Sequence, residues 1–348
     1  MDRQKQALYS RLYSIEADIS SASSAISAAR NNVNSLDSTV SSLPGRLNSI
    51  RERGYSVLGS LEPDIDQLSK TWAEVAPSVK QTLASNVEPL TSEISSLQAE
   101  ARGLRGQIGT GHIGSSQIVL TRLSTAASSM RSRVSSEVNK VNAPLSDLFS
   151  RLKAIDDNIE IAENTLGLFS QAAFPLKEEE SPVLAFEGKI LKGDKNEGTL
   201  FFTNQRFIFE EKKEVVLEKK FFIVTKKKTE RTVVINQPIG AIQDITKGRV
   251  GFFAWTGIYV KFKSSTRQEE TQFDVKGNEA DIITRFFDYL INGEADRDIA
   301  KVKGTKTTTT PTKQLVVCPH CFAPYTREVY KGQKVVQCEY CGTQIVIQ

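Results

Sequence analysis

From Leu8 to Ile50, apolar residues return at alternating steps of four and three: Leu8, Leu12, Ile15, Ile19, Ala22, Ile26, Ala29, Val33, Leu36, Val40, Leu43, Leu47 and Ile50. A strand needs a period of two, and a lone globular helix seldom keeps a seven-residue repeat this long, so the seam requires a helical partner along its length. As a helix the segment is about 65 Å long. Pro44 and Gly45 fall inside it, but the phase continues past them, which predicts a kink rather than a reversal. The reversal is expected between Arg53 and Pro63. A second seam then runs through Leu61, Ile65, Leu68, Trp72, Val75, Val79, Leu83, Val87, Leu90, Ile94, Leu97, Ala101, Leu104 and Ile108. Two consecutive steps of four, Val79 to Leu83 to Val87, form a stutter that relaxes any supercoil there. A third seam joins Val138, Val141, Leu145, Leu148, Leu152, Ile155, Ile159, Ala162, Leu166 and Phe169. Three such segments predict an antiparallel helical bundle within residues 1–176, with an intermolecular coiled coil as the alternative and a homo-oligomer as its consequence.

Composition divides the 348-residue chain at the same place. Serine supplies 31 of residues 1–176 but 3 of residues 177–348, whereas 13 of the 17 Phe lie between 177 and 300. No run approaches the 18 or so apolar residues of a membrane span. The start, MDRQKQALYS, has no apolar block after its basic residues, so a cytosolic location is expected, with peripheral membrane attachment as an extension of it. Between the seams, GTGHIG spells G-x-G-x-x-G at Gly109, Gly111 and Gly114. No strand precedes it to deliver a phosphate to a helix N-terminus, so it reads as a helical hairpin turn with His112 exposed.

From Val183 the pattern becomes short extended runs: VLAFEGKIL, GTLFFT, RFIFEE, EVVLEKKFFIVT, RTVVIN, GIYVKFK and QEETQFDV. Val, Ile, Phe and Thr enrichment between Gly, Asn or Lys clusters marks about seven strands. NEADIITRFFDYLING then gives an amphipathic helix with Asn278 placed as N-cap and Gly293 just past its end. Antiparallel strands followed by one helix predict a small barrel or sandwich with the helix at an open end. The segment Gly198-Thr199-Leu200-Phe201-Phe202-Thr203-Asn204-Gln205-Arg206-Phe207-Ile208-Phe209 resembles the glycine, apolar strand, Thr-Asn-x-Arg turn and apolar strand of GRAM and prokaryotic pleckstrin-homology-like (PH-like) domains. The resemblance covers residues 183–293 and implies a bent antiparallel sheet capped by a helix, with phospholipid headgroups or proteins as ligands. Read by itself, Asn204 suits turn dihedrals and Arg206 keeps a polar side chain at the strand start.

A surface for such a ligand is sought in Lys219, Lys220, Phe221, Phe222, Lys226, Lys227, Lys228 and Arg231. Clustered lysines attract anionic headgroups at about 1 kcal/mol each while phenylalanines enter the interface. The plainer reading is that lysines beside a Val- and Phe-rich strand guard it against edge pairing. Phe252, Phe253 and Trp255 are expected to be buried.

All four cysteines lie near the C-terminus, as Cys318-Pro-His-Cys321 and Cys338-Glu-Tyr-Cys341-Gly342. Two C-x-x-C pairs with 16 residues between them can converge as four thiolates on one tetrahedral Zn²⁺, a pattern that looks like a zinc ribbon. Four thiolates leave no open position, so one structural zinc is expected, with His320 facing solvent. The preceding KVKGTKTTTTPTK reads as a basic linker. The organisation is therefore a multidomain α plus β chain: helical bundle or coiled coil 1–176, PH/GRAM-like β domain 180–294, flexible linker 295–313 and zinc ribbon 314–348.

Two histidines, with no P-loop and no nucleophile–base–acid order, point away from catalysis. The expectation is a non-enzymatic adaptor whose partners are proteins or an anionic membrane surface. A nucleic-acid-associated factor is the alternative, using the tail, whose basic residues are Arg327, Lys331 and Lys334 and whose tyrosines are Tyr325, Tyr330 and Tyr340. A purely structural coiled-coil protein is the other alternative.

Overall fold

The computed structural model describes residues 2–191, 196–220, 223–252, 254–264, 269–300, 316–325, 327 and 329–347; for residues 2, 214–220 and 223–228 it describes the backbone alone. Residues 301–313 of the expected linker, Phe253 and the pair Phe221 and Phe222 lie outside the described residues; residues 295–300, expected to be part of that linker, are instead packed, with Ala295 and Ala300 buried. The chain divides into two compact units, one of Met1–Pro44 with Pro63–Asp156, the other of Gly45–Glu62 with Asp157–Gln348.

Helix α1 (Asp2–Glu52) runs unbroken through Pro44 and buries every residue of the first seam. The chain reverses in residues 53–60 and continues as α2 (Leu61–Thr82), a π-helical turn (Leu83–Val87) and α3 (Glu88–Gly109). The π turn falls on the stutter and directly precedes Pro89. A proline ring collides with the carbonyl four residues back and lacks the N–H that would bond it, and one wide turn absorbs both faults. The second seam is buried except at Val75 and Leu97, which are half-buried; Ala76 takes the buried place beside Val75.

Gly111, at φ +91°, turns the chain into α4 (Ile113–Asn142), and His112 is exposed as expected. A 3₁₀ turn at Pro144 leads into α5 (Ser146–Phe169). The third helical strand thus begins at Ile113, well before Val138. Its early seam of Ser116, Leu120, Leu123, Ala127, Met130 and Val134 is buried and keeps the heptad. In the first unit Glu16, Arg30 and Asp37 of α1 meet Arg105, Glu88 and Lys80, so α2 and α3 run antiparallel to α1. Asp18 and Asn32 meet Arg131 and Asn142, so α4 runs parallel to it. The result is an up-down-up arrangement of helices whose seams cover one another within the chain. No described helix is long and apolar enough to cross a membrane.

The second unit holds a seven-stranded antiparallel sheet: β1 (Pro182–Ile190), β2 (Asn196–Thr203), β3 (Arg206–Lys220), β4 (Ile223–Pro238), β5 (Ile242–Val250), β6 (Trp255–Phe262) and β7 (Thr271–Asp274). The order is β4-β3-β2-β1-β7-β6-β5. Helix α6 (Glu279–Ile291) packs on β1, β5 and β6, and the single turn α7 (Glu294–Arg297) follows. Asn278 stands at the N-cap without a side-chain bond; instead the Glu279 carboxylate accepts the Lys276 N–H at 3.0 Å. β2 is buried on both faces, which is why GTLFFT reads as a continuous apolar run. On one face Phe201, Ile208 and Ala185 pack under Leu168, Phe169 and Phe174 from the end of α5 and beyond. Phe202 packs with Phe207 on the other, and Phe207 and Phe209 both meet Phe273.

Three expectations for the strands fail. EVVLEKKFFIVT is two antiparallel strands, with Lys219 opposite Val224 and Lys220 opposite Ile223. IQDITKGRV, unassigned from sequence, is strand β5: its buried Ile242, Ile245 and Val250 are spaced too widely to show a clean period of two. Phe252 is 92% and Trp255 41% exposed: Phe252 lies in the β5–β6 reversal, and Trp255 is the first residue of β6, opposite Val250 at the end of the ladder.

A second, two-stranded sheet, β8 (Val335–Gln337) with β9 (Gln344–Val346), carries the C-terminal cysteines.

Candidate metal centre

Each cysteine pair sits on the same backbone turn. The Cys318 N–H donates to the Ala323 carbonyl at 2.9 Å, and the Phe322 N–H donates back to the Cys318 carbonyl at 3.0 Å. In the second turn, Cys338 N–H donates to Thr343 O at 2.8 Å and Gly342 N–H to Cys338 O at 3.0 Å. The fourth residue after the leading cysteine has positive φ in both, +73° at Gly342 and +58° at Phe322. Gly342 meets that demand without steric cost, and Phe322 holds a conformation that L side chains resist.

The two turns bring all four sulfurs within 4.8 Å of one another. Cys318 Sγ lies 3.6 Å from Cys341 Sγ, and Cys321 Sγ lies 3.5 Å from Cys338 Sγ. A tetrahedron with Zn–S bonds of about 2.3 Å has edges of about 3.8 Å, so the donor set fits such an ion. Thr343, through its hydroxyl and backbone, lowers the Cys341 thiol to about 5. At Cys321 the Ala323 N–H also lowers the pKa, but desolvation and the other three thiols outweigh it and push the group up to about 12. Four thiols this close cannot all ionise without a cation between them.

Few apolar groups hold this tail together. Its core is Cys318, Val336, Cys338 and Ile345, with Val316, Tyr325, Val329 and Ile347 partly buried against it. His320 is exposed as expected. Tyr325 belongs to the core, Tyr330 lies under Lys263 Nζ at 4.9 Å, and Tyr340 is exposed. Lys331 Nζ donates to Leu290 O at 2.6 Å and pairs with Asp296 at 2.8 Å; Lys334 Nζ donates to Glu178 O and Glu179 Oε2, both at 3.0 Å. Arg327 pairs with Glu339.

The Thr203–Arg206 turn is a second polar centre, and sequence reasoning underrates it. Arg206 does not face solvent at the strand start but is buried. It makes a two-pronged pair with Glu180, Nε to Oε1 and Nη2 to Oε2, both at 2.7 Å. The Thr203 hydroxyl donates to Glu180 Oε1 at 2.7 Å and the Lys177 N–H to Oε2 at 2.7 Å. Arg206 Nη2 also reaches the Pro175 carbonyl at 3.2 Å, and the guanidinium lies 5.6 Å from the Phe174 ring centre. Asn204 accepts from Ser181 N–H at 2.9 Å. Burial raises the Glu180 pKa, but Arg206 and the other donors outweigh it and hold the carboxyl below its ordinary value. The Thr-Asn-x-Arg residues thus fasten the 175–181 segment to the sheet.

Of the surface sought for a ligand, Arg231 is half-buried: it pairs with Glu210 at 3.0 Å and reaches Gln171 Oε1 at 3.0 Å. The side chains of Lys219, Lys220, Phe221, Phe222, Lys226, Lys227 and Lys228 lie outside the described ones. The backbone places most of that segment, however. Pairing of β2 with β3 ends at Gly198 opposite Glu211, while β3 and β4 continue together to Lys220 opposite Ile223. The lysine-rich sequence therefore forms a two-stranded arm that runs on past the sheet.

No protein-family model matches this chain, and no curated protein matches it. Among solved structures it is similar to the DH/PH domains of p115-RhoGEF (R399E mutant) at 11% identity, covering 82% of this chain and 98% of that one, with a TM-score of 0.24. The N-terminally truncated linker-DH/PH domains of p115-RhoGEF give 12% identity, 83% and 98% coverage and a TM-score of 0.23. Autoinhibited Vav1 gives 11% identity, 91% and 65% coverage and a TM-score of 0.23. Superpositions this loose carry no argument about fold or activity, and the residues themselves have to supply it.

Proposed function

We propose that this chain is a non-enzymatic adaptor. Its helical bundle provides length, its β module is a PH-like domain that docks on an anionic membrane surface, and its tail is a zinc ribbon holding one structural Zn²⁺ through Cys318, Cys321, Cys338 and Cys341. The observation that carries the docking role is the β3–β4 arm: a paired extension past the sheet in which Lys219, Lys220, Lys226, Lys227 and Lys228 gather around Phe221 and Phe222 in sequence. A projecting basic arm meets a flat charged surface better than a recessed pocket does, and each lysine near such a surface adds about 1 kcal/mol. The metal serves structure, because four thiolates fill a tetrahedron. Against the nucleic-acid alternative stand Lys331 and Lys334, both spent on internal carbonyls and carboxylates.

Flotation with phosphatidylserine vesicles tests the docking role. The wild-type protein is expected to float and the Lys226→Ala, Lys227→Ala, Lys228→Ala triple variant to remain largely in the soluble fraction. Equal flotation of the two would sink the assignment of the arm. Elemental analysis of the purified chain is expected to return about one zinc per molecule.

A further inference from the structure

We infer that the cysteine tail is a metal-dependent clasp: with the metal bound, the 329–334 loop between the two cysteine turns locks onto the Thr203–Arg206 turn and the end of α6, and loss of the metal releases it. The inference rests on the reading that the four thiols hold a metal ion.

Two glycines make the contact close. Gly332 has φ +83°, and a Cβ there would lie 1.8 Å from the Gln205 carbonyl oxygen. A Cβ on Gly240 would lie 2.4 Å from the Lys331 nitrogen. With both side chains missing, the Gly240 N–H donates to the Lys331 carbonyl at 3.1 Å. Lys331 then caps α6 from outside, since its ammonium bonds the Leu290 carbonyl in the last helical turn, where a cation is favoured. Lys334 reaches Glu178 and Glu179, next to the Glu180 that anchors Arg206.

The loop owes its shape to the tail. Val329 at its start is packed in the tail's small core, and Lys334 at its end accepts the Ile347 N–H at 2.8 Å beside β9. Its middle is a turn closed by Gln333 N–H to Tyr330 O at 2.9 Å. A core of four buried residues, two of them cysteines, is too small to fold by burial alone, so the shape of the loop is conditional on the metal. On the sheet side Gln205 is buried, and among the described residues its side-chain oxygen has no hydrogen-bond donor.

The Gly240 amide reports the contact directly. Hydrogen exchange on the full chain, kept reduced and loaded with Co²⁺, is compared with the same protein stripped by a chelator and with Gly332→Ala. Chelation is expected to speed exchange at Gly240 about tenfold or more. Gly332→Ala should do the same while retaining the thiolate-to-cobalt absorption of wild type. Lys331→Met is expected to give a smaller increase with the same absorption, and serves if Gly332→Ala folds poorly. Unchanged Gly240 protection after chelation, in a protein whose cobalt band shows that it binds metal, overturns the clasp alone. Absence of that band in wild type overturns the metal reading itself.

Discussion

The helices and the sheet-plus-tail unit are held together by opposite strategies. In the helices stability is spread along seams of small and medium apolar residues, and the ion pairs that decorate them, such as Lys80–Asp37 and Arg133–Glu93, are half-exposed and worth little each. The second unit has an apolar sheet core as well, but part of its stability is concentrated at points: the fully partnered buried ion pair Arg206–Glu180, and in the tail four thiols with almost no apolar core around them. A distributed interface loses little when one member is trimmed. A concentrated one fails at a point, because removing one partner strands a buried charge or empties a ligand position.

That contrast can be broken from either side. The largest effect is expected at the metal ligands: Cys338→Ser should abolish tetrahedral cobalt absorption and leave the tail unfolded, and protected amides in β8 and β9 of this variant would show that burial suffices there. Next comes Arg206→Met, which leaves Glu180 buried without its counter-charge and should cost about 3–5 kcal/mol in chemical denaturation. The same pair sets a pH signature. Glu180 titrates lower in the folded chain than in the unfolded one, so its contribution is fully present above the ordinary carboxylate value of about 4.3 and is lost as pH falls below it. Acid unfolding of wild type should therefore be steeper below that value than that of Glu180→Gln. On the helical side Leu36→Ala, at a fully buried seam position, should cost about 2–3 kcal/mol, and a cost near that of Arg206→Met would erase the distinction drawn between the two regions. The smallest change is expected at Phe322→Gly. The ring is 79% exposed and its backbone occupies the place that Gly342 fills in the sister turn, so relief of strain should tighten metal binding or raise tail stability by about 0.5–1 kcal/mol.

The helical half was the more legible in sequence because its signal is repetition: every position from Leu8 to Ile50 named by the heptad is buried, and the stutter at Leu83 marks the π turn. The start of the third helical segment was missed because Ser116 and Ala127 occupy seam positions with too little apolar weight to register. In the β module Phe-rich runs located strands but not their ends. β3 and β4 pass through charged sequence that carries no alternation, so only the register shows one reversal near residue 221. The cysteine spacing announced the convergence of the thiols. The loop between them announced nothing, since the meaning of Gly332 lies in a carbonyl 127 positions away at Gln205. Phe322 was within reach, because its offset from Cys318 equals that of Gly342 from Cys338.

The corner between α1 and α2 has a practical consequence. Arg51 ties the Tyr55, Val57 and Leu58 carbonyls together, and the segment is then stitched to distant sequence. The Tyr55 hydroxyl donates to Val183 O at 3.0 Å, Leu58 N–H to the Tyr289 hydroxyl at 3.1 Å and Ala300 N–H to Ser56 O at 2.8 Å. A fragment cloned from residue 180 onward therefore starts life with a hole where Tyr55 belongs. Whoever dissects this molecule by truncation will need to splice residues 45–62 back in, or supply them as a separate peptide, before blaming the excised piece for poor behaviour.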